Sequence, residues 1–229
     1  MKSFVSATFA IVLGLFIIPV SSAQGNSTCR PSTPVDKQKR TEMKHRNPAS
    51  PGTHVISTSV SEMLGWDQPN DLTNRDVRNS NSSIDPREED VFELEGDLWR
   101  IAEEANDCDY HLELAAPGKP KTADRVIVEV PDDEGSTSVR QVVLASLSAE
   151  DRATLNSQGE VLLKHPVRLK LTGYAFFDAF HYTSQYDPAK PGKCGFTKAQ
   201  KLQRGNNHGT CAVGTIWELH PVWKVTPTP

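Results

Sequence analysis

Apolar and polar residues alternate strictly in several short runs after residue 90. In the run 110–114, Tyr110, Leu112 and Leu114 alternate with polar residues, and the run 166–172 follows the same rule. Such alternation is typical of a strand with one face in a core. The pattern predicts strands near 91–101, with a break at Gly96, and then at 110–114, 125–130, 166–172 and 215–225.

One helix is predicted between the third and fourth of these strands. Ser148 is a suitable N-cap, Asp151 falls in the first turn and Leu155 faces inward. Five short strands, one short helix and a glycine-broken strand predict a mainly β fold. The expected form is a small Greek-key (OB-like) barrel over residues 91–225, with a β-sandwich as the alternative.

The first residues have the pattern of a secretory signal peptide. Lys2 precedes an apolar run from Phe4 to Val20, and the small residues 21–23 match a cleavage site after Ala23. The run is shorter than the ~20 residues of a membrane-spanning helix. Residues 1–23 are therefore predicted to be removed, which leaves a secreted or periplasmic protein without a transmembrane segment.

Two segments separate the signal peptide from the predicted barrel. Residues 24–52 are rich in Pro, Ser, Thr, Lys and Arg and predict a disordered basic arm, whereas residues 53–90 predict an extended or loop segment that packs on the domain. The whole chain has a formal net charge of -4, and the basic residues concentrate in the arm. The remaining acidic body disfavours nucleic acid as a general partner.

Four cysteines, an even number, are compatible with two disulfides in an exported protein. Three pairings are possible. Pairing Cys194 with Cys211 would close a glycine-rich loop, and pairing Cys29 with Cys108 would then tie the arm to the domain. Because no C-x-x-C spacing occurs, a zinc site built from cysteines is the weaker interpretation.

Three histidines each follow a carboxylate at close spacing. In a strand, residues two apart share a face, so Asp109 should lie beside His111, and Glu218 beside His220. Carboxylate and imidazole ligands suit zinc, manganese or non-haem iron, and the same groups suit general acid–base catalysis. The alternative is a solvated strand face. The candidate metal ligands are Asp109, His111, Asp178, His181, Glu218 and His220, and the candidate catalytic residues are His111, His181 and His220.

The same three segments carry a resemblance to a protein group. Residues 106–112 (NDCDYHL), 172–181 (TGYAFFDAFH) and 217–222 (WELHPV) resemble exported, mostly uncharacterised bacterial proteins. That group carries D-x-D-Y-H-L, T-G-x-x-F-F-D-x-x-H and W-E-x-H-P-V motifs in this order, and it has no established activity. The resemblance covers residues 91–225.

A more distant likeness is to staphylococcal-type nucleases, whose OB barrels hold calcium near a D-G-D-T hairpin. Asp107-Cys108-Asp109-Tyr110 is similar in its two aspartates. The chain has no match to the arginine-and-glutamate catalytic loop of that family, since Glu129 and Arg140 stand in other positions.

These observations predict an exported β-barrel domain that binds a small ligand or a divalent metal ion through its histidines and carboxylates. Two alternatives remain open. One is a metal-assisted hydrolase that acts on phosphodiesters, and the other is a structural protein of the cell envelope that attaches through its basic arm. No G-x-S-x-G, G-x-x-x-x-G-K or H-E-x-x-H motif occurs, so serine hydrolases, P-loop proteins and zincins have no support.

Overall fold

The structure, a computed structural model, describes residues 29, 40–67, 69, 80–178 and 213–228. The predicted signal peptide, His181, Cys194 and Cys211 lie outside these residues. The strands are β1 (Val55–Ser59), β2 (Val91–Glu103), β3 (Tyr110–Ala115), β4 (Arg125–Val130), β5 (Glu160–Phe177) and β6 (Val213–Pro227). The helices are α1 (Thr41–Lys44), α2 (Val60–Leu64), α3 (Thr137–Ser146) and α4 (Ala149–Gln158), with short 3₁₀ turns at Pro86–Glu89 and Glu134–Ser136.

Five of the described strands close into a barrel. β2 pairs with β3, β3 with β4, and β5 with both β2 and β6, all antiparallel, whereas β4 and β6 run parallel. β1 extends the sheet by pairing in parallel with β2. The mainly β fold with a small closed barrel is thus confirmed in place of the sandwich alternative, and the OB likeness stays a prediction. Among the described residues, no helix is both long and apolar enough to cross a membrane.

The barrel core follows the predicted alternation, but the opposite face of the strands does not behave as expected. Tyr110, Leu112 and Leu114 belong to the core cluster together with the valines of β4. Yet every residue of β3 and β4 is buried, including the polar ones that point away from the core. The expected half-exposed face is therefore a second buried layer, and it is rich in charge.

Strand β2 is continuous where the sequence predicted a break. It passes through Gly96. A Cβ atom at this position would lie only 3.0 Å from the backbone oxygen of Ala115 and 3.0 Å from the Cβ of Leu114. The pairing irregularity falls between Leu98 and Arg100. The glycine therefore permits close approach of β3 and does not end the strand.

The helical region is larger than predicted. The predicted helix is present as α4, with the Ser148 hydroxyl accepting a hydrogen bond from the Asp151 amide. A further helix, α3, precedes it and buries Val139 and Val143 on one face. The expectation of one short helix was wrong. The valines of α3 have a strand propensity, but this preference is weak. Val139 and Val143 are four residues apart and pack on the barrel from one helix face, and this packing decides the conformation.

The arm boundary at residue 52 was also wrong, because residues 40–50 are described and partly buried. Arg40 is only 2% exposed. Its guanidinium donates hydrogen bonds of 2.8 Å to both oxygens of Glu88 and another of 2.8 Å to the Phe177 carbonyl. Met43 is buried as well. The basic composition suggested a solvated arm, but Arg40 pairs with residues of the folded domain and Met43 is buried.

A substitution at Gly173 should test the packing of β5 on β6. A Cβ there would lie 2.7 Å from the backbone oxygen of Pro221 and 2.8 Å from Cγ2 of Val222, so the strands would have to separate. We expect Gly173→Ala to lower the free energy of unfolding by about 1–3 kcal/mol in urea denaturation. The control is Gly135→Ala, whose Cβ would meet only the Asp133 side chain at 3.4 Å. Equal midpoints for the two variants would contradict this packing.

Candidate metal centre

The polar residues of the outer face form rows across β3, β4 and β6. His111 lies opposite Glu129 in the β3–β4 register, and Ile127 lies opposite Glu218 in the β4–β6 register. Because side chains alternate along a strand, His220 falls in the row of Glu129, and Glu218 in the row of Ile127. The alternation of the three strands thus places Glu129 between two histidines, His111 on one side and His220 on the other.

Asp109, Glu129 and His220 form the tightest group. Nδ1 of His220 lies 2.8 Å from Oε2 of Glu129, and Nε2 lies 3.3 Å from Oδ2 of Asp109. All three residues are buried, and one potential ligand atom from each lies within 4.8 Å of the other two. These separations are close to those between the ligands of a single metal ion, for which metal–ligand distances are about 2.0–2.2 Å. The group is therefore one that can hold a metal.

Several of these buried atoms lack well-directed hydrogen bonds. Within the described part of the chain, Oδ2 of Asp109 and both ring nitrogens of His220 make only ion-pair contacts, none of which has hydrogen-bond geometry. The other oxygen of Asp109 accepts a hydrogen bond of 2.9 Å from the Asp132 amide. Leaving a buried polar atom unsatisfied costs about 1–3 kcal/mol. A bound cation would satisfy Oδ2 of Asp109 and one ring nitrogen of His220 at once.

The turn that carries Asp109 is held by covalent and polar contacts. Cys108 is joined to Cys29 by a disulfide, as predicted for this pair. Cys108 has a positive φ of 69°, and its carbonyl accepts a hydrogen bond of 2.9 Å from Nη1 of Arg140. The Asp109 carbonyl in turn accepts one of 3.0 Å from the Glu104 amide. The turn therefore presents the Asp109 carboxylate to the outer face in a fixed position.

Lys44 of α1 brings a positive charge to the same cluster. Its ammonium lies 3.8 Å from Oδ2 of Asp107 and 3.9 Å from Oε2 of Glu129. The Phe176 ring, 5.8 Å from this ammonium, also packs edge-on against His220. Burial lowers the pKa of Lys44, but the surrounding carboxylates, Glu129 foremost, raise that pKa above its ordinary value. Lys44 therefore stays protonated inside the cluster.

The pKa values of the other groups reflect the same crowding of charge. Burial lowers the pKa of His220, but the Glu129 and Asp109 carboxylates raise it to about 9 overall. Burial, together with the neighbouring Asp109 and Glu129 charges, raises the pKa of Asp107 to about 6. The pKa of Glu129 is well below its ordinary range, because Lys44 and His220 outweigh the effect of burial. The carboxylates outnumber the cations, so the cluster attracts further positive charge.

The structure gathers four of the six predicted ligands. Asp109, His111 and His220 surround Glu129, and Oε2 of the buried Glu218 lies 4.0 Å from Nδ1 of His220. Asp178 is buried, and it acts on the charge of Lys44. Its amide donates a hydrogen bond to the Ile216 carbonyl. His181, the sixth, lies outside the described residues, so its place in the site stays a prediction.

Sequence reasoning missed the two central residues of this site. Glu129 is the only charged residue inside the β-branched run 126–130. An isolated carboxylate on the strand face that points away from the core is the signal that indicates a site residue here. Lys44 gave no comparable signal, because it is one of several basic residues in a segment predicted to be disordered. Its role follows only from the docking of α1.

Comparisons of this chain with protein-family models, with curated proteins and with solved structures found no match.

Proposed function

We propose that this chain is an exported β-barrel protein that binds a divalent metal ion through Asp109, Glu129 and His220. The observation that carries the proposal is the burial of these three side chains with their donor atoms within 4.8 Å of one another. The unsatisfied atoms of Asp109 and His220 support it, as does the excess of negative charge. Export rests on the predicted signal peptide, and the Cys29–Cys108 disulfide is compatible with it.

The ligand set indicates the class of metal. One imidazole and two carboxylates without a thiolate suit zinc, manganese or iron(II). Calcium prefers six to eight oxygen ligands, so it fits this group less well, although the distant nuclease likeness implies calcium. The preferred cofactor is therefore a first-row transition-metal ion, with water completing its coordination.

Thermal unfolding of the chelator-treated mature protein tests this proposal. Zinc, manganese or iron(II) should raise the melting temperature, since a ligand that binds only the folded state stabilises it by about 2.7 kcal/mol at 100 times its Kd. His220→Ala should abolish this response. His165→Ala is the matched control, because His165 is an exposed histidine of β5, and its response should equal that of the wild type.

Two results would contradict the proposal. One is a melting temperature that no divalent ion raises in the wild-type protein. The other is a His220→Ala variant that responds to the ions as fully as His165→Ala does, because the metal would then lie elsewhere.

A second candidate function, metal-assisted hydrolysis of phosphodiesters, is supported by Asp107. Its carboxylate lies 3.8 Å from the Lys44 ammonium, which is itself 3.9 Å from Oε2 of Glu129, so Asp107 stands beside the proposed ion as a general base would. A screen of phosphodiester, phosphomonoester and ester substrates with divalent ions separates the two candidates. Metal-dependent turnover that Asp107→Asn abolishes would establish the hydrolase, and metal binding without turnover would leave a binding protein.

The third alternative, attachment to the cell envelope through the basic arm, receives less support. Arg40 and Lys44 belong to that arm, but both make ion pairs with residues of the folded domain. Their positive charges are therefore paired with carboxylates of the folded domain.

A further inference from the structure

We infer that the cluster binds a second divalent cation, held by His111, Glu104 and the second oxygen of Glu129, so that Glu129 bridges two metal ions. This inference rests on the proposed function, because the first ion is the one bound by Asp109, Glu129 and His220. It adds Glu104, from the turn between β2 and β3, and His111 of β3 to the site.

The two oxygens of Glu129 face different histidines. Oε2 lies 2.8 Å from Nδ1 of His220, whereas Oε1 lies 3.5 Å from Nδ1 of His111. The same nitrogen of His111 lies 3.3 Å from Oε1 of Glu104. A carboxylate placed between two separate sets of nitrogen and oxygen donors has the arrangement of a bridging ligand, and the ions of two-metal sites stand about 3.5–4 Å apart.

His111 provides an independent observation. It is 5% exposed, and neither of its ring nitrogens has a hydrogen-bond partner among the described residues. A histidine packed only for structural reasons normally satisfies at least one nitrogen with a backbone or side-chain partner. His111 instead directs Nδ1 between two carboxylates without a well-aligned hydrogen bond to either, as a metal ligand does.

The position of Glu104 allows it to complete the second site. Its backbone is fixed, because its amide donates to the Asp109 carbonyl and its carbonyl accepts a hydrogen bond of 2.8 Å from the Cys108 amide. Its side chain is 38% exposed, and its Oε1 already lies 3.3 Å from Nδ1 of His111. The second ion would therefore lie nearer to solvent than the first, with water as its remaining ligands.

Metal stoichiometry tests the inference directly. The chelator-treated mature protein is titrated with Mn²⁺ alone, and bound metal is measured by equilibrium dialysis and by electron paramagnetic resonance. The wild-type protein and the His165→Ala control should bind two equivalents and show the broadened signal of two coupled ions. His111→Ala should bind one equivalent with an isolated six-line spectrum. Glu104→Gln should weaken the second equivalent at least about tenfold.

The outcomes separate this inference from the proposed function. One equivalent in the wild type that His111→Ala and Glu104→Gln leave unchanged, and that His220→Ala removes, would overturn the second site and leave the first intact. No bound manganese in the wild type would overturn both. If His111→Ala does not fold, Glu104→Gln decides, because its partly exposed side chain can change without a cost to the core.

Discussion

Replacing Arg40 with alanine should lower the free energy of unfolding by about 3–5 kcal/mol, the usual cost of removing one partner from a buried ion pair. The Arg40 guanidinium contacts both oxygens of Glu88 at 2.8 Å, and the Glu88 side chain is fully buried. Without Arg40, the Glu88 carboxylate would keep only the amides of Ile84 and Phe177 as partners among these contacts. A buried charge without its counterion is strongly destabilising.

The control for this prediction is an ion pair of similar length at the surface. Lys164 lies 2.7 Å from Glu150, but both side chains are largely exposed, so Lys164→Ala should change stability by less than about 1 kcal/mol. Urea denaturation of both variants gives the comparison. If Arg40→Ala and Lys164→Ala have the same free energy of unfolding, residues 40–46 do not belong to the cooperatively folded unit. That result would contradict the corrected boundary of the arm.

Replacing Lys44 with methionine should raise the affinity for the divalent ion at least about tenfold, which corresponds to about 1.4 kcal/mol. The Lys44 ammonium lies 3.9 Å from Oε2 of Glu129, so it stands close to any cation bound by that oxygen. The repulsion between the two is strong because the site is buried and weakly screened. Methionine keeps the apolar stem but removes the charge.

Lys170→Met is the matched control for Lys44→Met. Lys170 pairs with Glu93 at 3.1 Å on the surface of the barrel, away from the cluster, so its loss should leave the affinity unchanged. Isothermal titration calorimetry with Zn²⁺ or Mn²⁺ measures both variants. A Lys44→Met variant that binds the ion more weakly than the wild type would contradict competition and would show that Lys44 instead organises the carboxylates.

Alternation was sufficient to predict which side chains fill the barrel, because it depends only on neighbouring residues. Tyr110, Leu112 and Leu114 lie in the core for this reason. The same pattern also assigns Asp109 and His111 to the opposite face. It does not determine whether that face is exposed, since this depends on segments distant in the sequence, such as α1 with Lys44.

The errors in the fold have similar physical causes. The valines of α3 have strand propensity, but the contacts of Val139 and Val143 with the barrel outweigh it. Arg40 has the composition of a solvated arm, yet its bidentate contact with Glu88 holds it in the interior. In both cases the structure is decided by a contact between residues distant in the sequence. A pattern of neighbouring residues cannot predict such a contact.

The central claim is that Asp109, Glu129 and His220 together hold a divalent metal ion. Crystals of the mature protein loaded with Zn²⁺, with diffraction measured above and below the zinc absorption edge, test it most directly. We expect an anomalous peak within about 2.0–2.2 Å of a carboxylate oxygen of Asp109, an oxygen of Glu129 and a ring nitrogen of His220. A zinc-soaked crystal without a peak at this position would contradict the account.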